Sequence, residues 1–149
     1  MAVKALALTL VVGLVFGAGT ARAQAPSDVL RDGNAAVNNL LDEYALSDSS
    51  LGRRLTWGSP FTGDNMKKYV EQSPITYASK IKTPTLIMSD TGDVRVPITQ
   101  SYQMYYALKD NNVPVKFIAF PVSGHSPEDP IHATEIERQY LNWFAQYLK

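Results

Sequence analysis

The longest apolar tract lies at the start of the chain, where ALALTLVVGLVFGAG follows Lys4 and is succeeded by Ala21-Arg22-Ala23. Small residues three and one before Gln24 fit a secretory cleavage site. A membrane anchor is the competing reading, but the tract is short against the roughly 20 residues a span requires. Residues 1–23 therefore read as a signal peptide, which sends the chain to the periplasm or the exterior and leaves it without membrane attachment once cleaved. Residues 24–33 are polar and read as a connector.

From residue 34 the pattern becomes that of a folded domain, 34–149. Val37, Leu40, Leu41 and Tyr44 recur at helical spacing and predict a helix over Asn34–Leu46. The stretch Ser47–Gly63 is rich in Gly, Ser and Pro and reads as loop, with Trp57 and Phe61 expected to pack on neighbouring elements. Asp64 is placed to cap a short helix, Asn65–Gln72, which Ser73-Pro74 ends. Residues 75–82 read as a connector with at most one helical turn.

After Pro84 comes the apolar run TLIM, without alternation, which predicts a strand buried on both faces and hence a parallel sheet under helices. It ends in the polar turn SDTGD. Pro97 suits the start of a helix, for which Tyr102, Tyr105, Tyr106 and Leu108 offer an apolar face, and Asn111-Asn112 can close it. Val115–Phe120 is a second strand, followed by a loop over Pro121–Pro130. His132–Leu148 is amphipathic, with Ile136, Tyr140, Trp143, Phe144, Tyr147 and Leu148 as its core stripe.

Composition narrows the chemistry. Without Lys4 and Arg22, fourteen basic side chains become twelve against fourteen acidic ones, a formal charge of −2. No clustered basic face points to nucleic acid. The absence of cysteine excludes a disulfide framework and a thiol nucleophile.

The chain has two histidines. His125 follows the second strand directly, in a Ser-Gly-His loop, while His132 opens the last helix among polar neighbours. Asp93 follows the first strand. Functional groups of parallel sheets collect at the carboxyl ends of the strands, so Asp93 and His125 are expected at one sheet edge, where an acid can orient and stabilise a histidine base. Asp90 is a second candidate, nearer the strand. A metal site from Asp90, Asp93 and His125 is a further reading without a motif behind it. A serine hydrolase of this topology needs G-x-S-x-G before the acid, and no serine ahead of Asp93 stands in that pattern.

The motifs SPITYASKIKTPTLI, D-x-R-V-P (Asp93–Pro97), Q-x-x-x-x-Y-x-A-L-K (Gln100–Lys109) and Gly124-His125 occur in the order and spacing of a known family. Over roughly residues 34–149 the chain resembles the C-terminal catalytic part of the prolyl oligopeptidase family of serine peptidases, notably its acylaminoacyl-peptidase and dipeptidyl-peptidase branches. The resemblance implies a partial α/β-hydrolase fold, a short parallel sheet with flanking helices. It implies Asp93 as triad acid, His125 as triad base, acyl-enzyme cleavage of short or acylated peptides, and no cofactor. The propeller and the serine elbow of the family are not found in these residues. The expectation is a hydrolase fragment that is inactive alone, associates with itself or with a chain supplying the missing half-domain, and takes peptide substrate only when complemented. The alternatives are an exported non-catalytic binding module and half of a split enzyme.

Overall fold

The computed structural model describes residues 37–126 and 128–147. The expected signal peptide, the connector and the first residues of the helix expected from Asn34 lie outside them. In chain order the elements are α1 (Leu40–Leu46), α2 (Ser50–Trp57), α3 (Asn65–Gln72), a 3-10 stretch (Pro74–Lys80), β1 (Thr85–Gly92), α4 (Thr99–Asp110), β2 (Val115–Ser123) and α5 (Pro130–Tyr147).

β1 and β2 pair in parallel, with Thr85 opposite Val115 and Asp90 opposite Phe120. Thr85, Leu86 and Ile87 are buried, as a non-alternating run covered on both faces requires. β1 runs further than its apolar part suggested, because the ladder continues through the polar residues to Gly92. Between Asp90–Phe120 and Gly92–Ser123 the pairing advances two residues on β1 and three on β2. That makes a bulge at Pro121-Val122, where proline's missing N–H does least harm.

Two apolar clusters flank this unit. Ala78, Ile87, Met104, Leu108 and Val113 pack between the 3-10 stretch, the sheet and α4. Val37, Leu40, Tyr44, Tyr69 and Val96 form the other, with Trp57 against it. Gln100, fully buried, joins the two regions. Its Oε1 accepts the backbone N–H groups of Asn38 (2.9 Å) and Asn39 (2.8 Å), and its Nε2 donates to the Asn39 carbonyl (2.9 Å).

Several expectations need correction. The first helix starts at Leu40, not Asn34, because Asn39 is its N-cap, extended in backbone and accepting from the N–H groups of Leu41 and Asp42. The loop expected over Ser47–Gly63 contains α2, which has no buried residue and exposes Leu51 and Leu55. Leu51 and Leu55, four positions apart, form a short apolar stripe hidden among the Gly and Ser residues of the stretch, and Gly58, at φ +75°, closes the helix. Trp57 does pack, edge-on to Tyr69, and Phe61 meets Tyr44 although it is largely exposed. Asp64 stands at the N-cap of α3 but makes no capping bond. On α4, Tyr102 and Tyr106 are exposed and the buried face is Gln100, Met104 and Leu108. Asn112, at φ +57°, turns the chain after α4 as expected. On α5 only His132, Gln139 and Trp143 are buried, so the aromatic stripe is half-covered.

Candidate active site

Both strands end at one rim, and Asp93 and His125 stand there. Gly92 is the last residue of β1 and faces Ser123, the last of β2. A β-carbon on Gly92 would stand 2.9 Å from Ser123 Cα and 3.1 Å from the Val122 carbonyl oxygen, so a side chain there would force the strands apart. Asp93 follows directly. Gly124 comes after Ser123 at φ +106°, a backbone state that L-side chains avoid, and it turns the chain to present His125.

His125 Nδ1 lies 2.8 Å from Asp93 Oδ2. A carboxylate offers only acceptors, so Nδ1 carries the proton and in the neutral ring Nε2 keeps a free lone pair. The other carboxylate oxygen, Oδ1, accepts the backbone N–H groups of Arg95 (2.8 Å) and Val96 (2.9 Å). Both oxygens of Asp93 are thus occupied, and its side chain is 10% exposed against 31% for His125. The acid is held and shielded, while the base stands nearer solvent.

The turn after Asp93 is clamped from a distant segment. The Arg95 guanidinium pairs with Asp48 through two nitrogens, its carbonyl accepts Ser47 Oγ (2.7 Å), and the Asp48 N–H donates to the Val94 carbonyl (2.9 Å). The hydrogen bond from Arg95 holds the Asp48 carboxyl below its usual range. Beneath this clamp Glu43 is buried. Its Oε1 accepts Ser49 Oγ (3.1 Å), with Arg53 at 4.0 Å, and its Oε2 has no partner. Burial pushes the Glu43 carboxyl up.

Asp90 and His132 form a second pair. His132 Nε2 lies 3.2 Å from Asp90 Oδ1, close but without the alignment of a hydrogen bond. Burial raises the Asp90 carboxyl, with His132 opposing the shift and Asp93 adding to it. Asp90 faces His132 whereas Asp93 faces His125, and among the described residues no group of three acidic or histidine side chains could hold a metal ion. The structure thus divides Asp90, Asp93 and His125 between two acid–histidine pairs rather than gathering them around one point.

Sequence reasoning named Asp93, His125 and Asp90 but missed Asp48, Ser47 and Gly92. Gly92 had a local signal, a glycine closing an apolar strand. Asp48 had none, since its partner lies forty-seven positions away.

A family model for the prolyl oligopeptidase family matches residues 33–149. The acylamino-acid-releasing enzyme of Arabidopsis thaliana is 38% identical over 91 residues, which are 59% of this chain and 12% of that protein. The dipeptidyl aminopeptidase BIII of Pseudoxanthomonas mexicana is 35% identical over 92 residues, 62% of this chain and 13% of that one. Among solved structures, an acylaminoacyl peptidase of Pyrococcus horikoshii superposes with a TM-score of 0.67 at 28% identity, covering 76% of this chain and 19% of that one. The chain thus matches between about a tenth and a fifth of the length of these relatives.

Proposed function

This chain belongs to the prolyl oligopeptidase family, and we propose that it supplies the acid and the base of a serine-peptidase triad, Asp93 and His125. The observation that carries this reading is the 2.8 Å contact between His125 Nδ1 and Asp93 Oδ2. In acyl transfer His125 Nε2 takes the proton of the attacking serine hydroxyl and returns it to the leaving amine. Asp93 fixes the tautomer and stabilises the imidazolium that forms in between. The backbone N–H groups on Asp93 Oδ1 keep the carboxylate aimed while the imidazole charges and discharges.

No serine ahead of Asp93 stands in an elbow sequence. In this reading the 149 residues do not hydrolyse peptides unaided, and a further polypeptide segment brings the nucleophile and the oxyanion donors. Two features support such complementation. Among the described residues β1 pairs only with β2, and an open strand edge invites pairing with another chain. Leu51, Leu55, Ile131 and Leu141 are each at least 65% exposed, a burden on a free chain that a partner would relieve. The substrates would be short or N-acylated peptides, by likeness to the acylamino-acid-releasing enzymes. The apolar start of the chain, read as a signal peptide, supports an encounter outside the cytoplasm.

Fluorophosphonate labelling tests the reading. The chain alone should incorporate no label. Mixed with a polypeptide carrying an elbow serine, it should promote labelling of that serine, and His125→Ala should abolish it. Covalent label on any serine of this chain alone would refute the proposal.

A further inference from the structure

His132 plays no part in the triad, yet it is the single buried residue in the first two turns of α5. Its ring centroid is 4.7 Å from that of Phe120, in an edge-to-face arrangement. Its Nε2 is 3.2 Å from Asp90 Oδ1. Phe120 and Asp90 are themselves cross-strand partners in the ladder. One side chain of α5 therefore grips both strands at the last paired position before the bulge. The backbone N–H of His132 also donates to Asp129 Oδ1 (2.7 Å), and Ala133 N–H to the Asp129 carbonyl (3.0 Å), which fixes how the chain enters the helix.

His125 lies on the span between Ser123 at the end of β2 and Pro130 at the start of α5. The β2 end of the span is set by the Gly92–Ser123 pairing and the α5 end by His132. Asp90 and Asp93, three positions apart, each receive one of the chain's two imidazoles, so two acid–histidine contacts bracket the loop.

We infer that His132 and Asp90 are positioning residues for His125: by anchoring α5 to the end of β1 they hold the His125 ring on Asp93. The inference rests on the reading of Asp93–His125 as acid and base. The titratable groups facing Asp90 are His132, His125 and Asp93. A purely core-filling role would require only the volume of the His132 ring. The positioning role requires its nitrogen opposite a carboxylate.

The two imidazoles of the full chain can be followed by nitrogen-15 NMR, which reports which ring nitrogen carries the proton. In the unmodified chain His125 should hold its proton on Nδ1, and Asp93→Asn should remove that preference. If the unmodified chain shows none, the acid–base reading itself fails. His132→Leu, which keeps apolar volume but loses the nitrogen, should lower the Nδ1–H fraction of His125 by roughly twofold or more. His132→Gln, which returns a donor near the place of Nε2, should restore it. Asp90→Asn, which changes the charge and not the size, should act like His132→Leu. If both His132→Leu and Asp90→Asn leave the His125 pattern as it was, the positioning role is overturned while the acid–base reading stands. Loss of the whole folded spectrum in both overturns it as well, because the pair would then hold the fold at large rather than His125.

Discussion

Gly92 and Ser123 meet where their strands end, and the gap between them is too small for a methyl group: a β-carbon on Gly92 would fall 2.9 Å from Ser123 Cα. Asp93 is the next residue after β1 and His125 the next but one after β2. The separation of the strands at this pair therefore sets the separation of acid and base. Gly92→Ala should push the ends of the strands apart and weaken the His125–Asp93 contact without touching either side chain. The check is the Nδ1–H signal of His125, which should fade in the variant while the spectrum of β1's buried half stays in place.

Asp93→Asn retains the shape of the acid and reverses its hydrogen-bond preference. When the chain is complemented by an elbow-bearing partner, the variant should slow acylation by about ten-thousandfold, the scale seen when a triad acid loses its carboxylate. Rates of fluorophosphonate labelling measure this directly. A loss under tenfold would mean that the contact with Asp93 does not govern His125.

Glu43 carries a buried oxygen without a partner, and burial raises its carboxyl above the ordinary 4.5. A carboxyl raised on folding binds its proton more tightly in the folded chain. The cost of ionising it is absent below the unfolded value and sets in as pH climbs from there through the folded value. Glu43→Gln should therefore stabilise the chain at pH 7, by an amount on the order of 1 kcal/mol. The advantage should vanish below pH 4.5. Urea unfolding at the two pH values tests both parts.

Asp48 behaves in the opposite sense, because its hydrogen bond to Arg95 lowers its carboxyl. The pairing stabilises above the ordinary 3.8 and is lost as pH falls through the lowered folded value. Arg95→Ala should lower the unfolding midpoint at pH 7 slightly, with the difference shrinking in high salt and under strong acid. A difference that persists in strong acid would show that packing of the Arg95 side-chain stem, not the ion pair, holds the turn, since the carbonyl that accepts Ser47 Oγ is kept in the variant.

Gln100→Leu keeps the volume of a fully buried side chain but strands the N–H groups of Asn38 and Asn39, while the Asn39 carbonyl keeps the N–H of Glu43. Each buried polar group left unpaired costs about 1–3 kcal/mol, so a loss of about 2 kcal/mol or more is expected in denaturant unfolding. Gln100→Glu returns the acceptor for both N–H groups and should recover part of that loss, most fully at low pH, where no charge need be buried.

What could be read ahead of the structure divides by range. The strand–helix–strand unit was legible because TLIM and VKFIAF are mainly apolar runs and each gives way within a few residues to a Gly-containing turn, SDTGD and SGH. The meeting of Asp93 and His125 followed from parallel pairing alone. α2 was hidden by composition: the Gly, Ser and Pro around it read as loop, and its one apolar pair, Leu51 and Leu55, is too short a signal to override them. Gln100 looked like an ordinary helical polar residue, yet it is among the most buried side chains, because its partners come from sixty-one and sixty-two positions earlier. His132, between Ile131 and Ala133, has no local signal of a role. Its partners Asp90 and Phe120 adjoin only once the ladder register is known.

Because acid and base come from a single crossover, thirty-two positions apart, they travel together. A recombination breakpoint ahead of Pro84 carries both in one exchange but leaves behind the clamp that Ser47 and Asp48 place on the turn. In the proposed reading such a cassette hands acid and base together to a polypeptide that offers the hydroxyl and can rebuild that clamp.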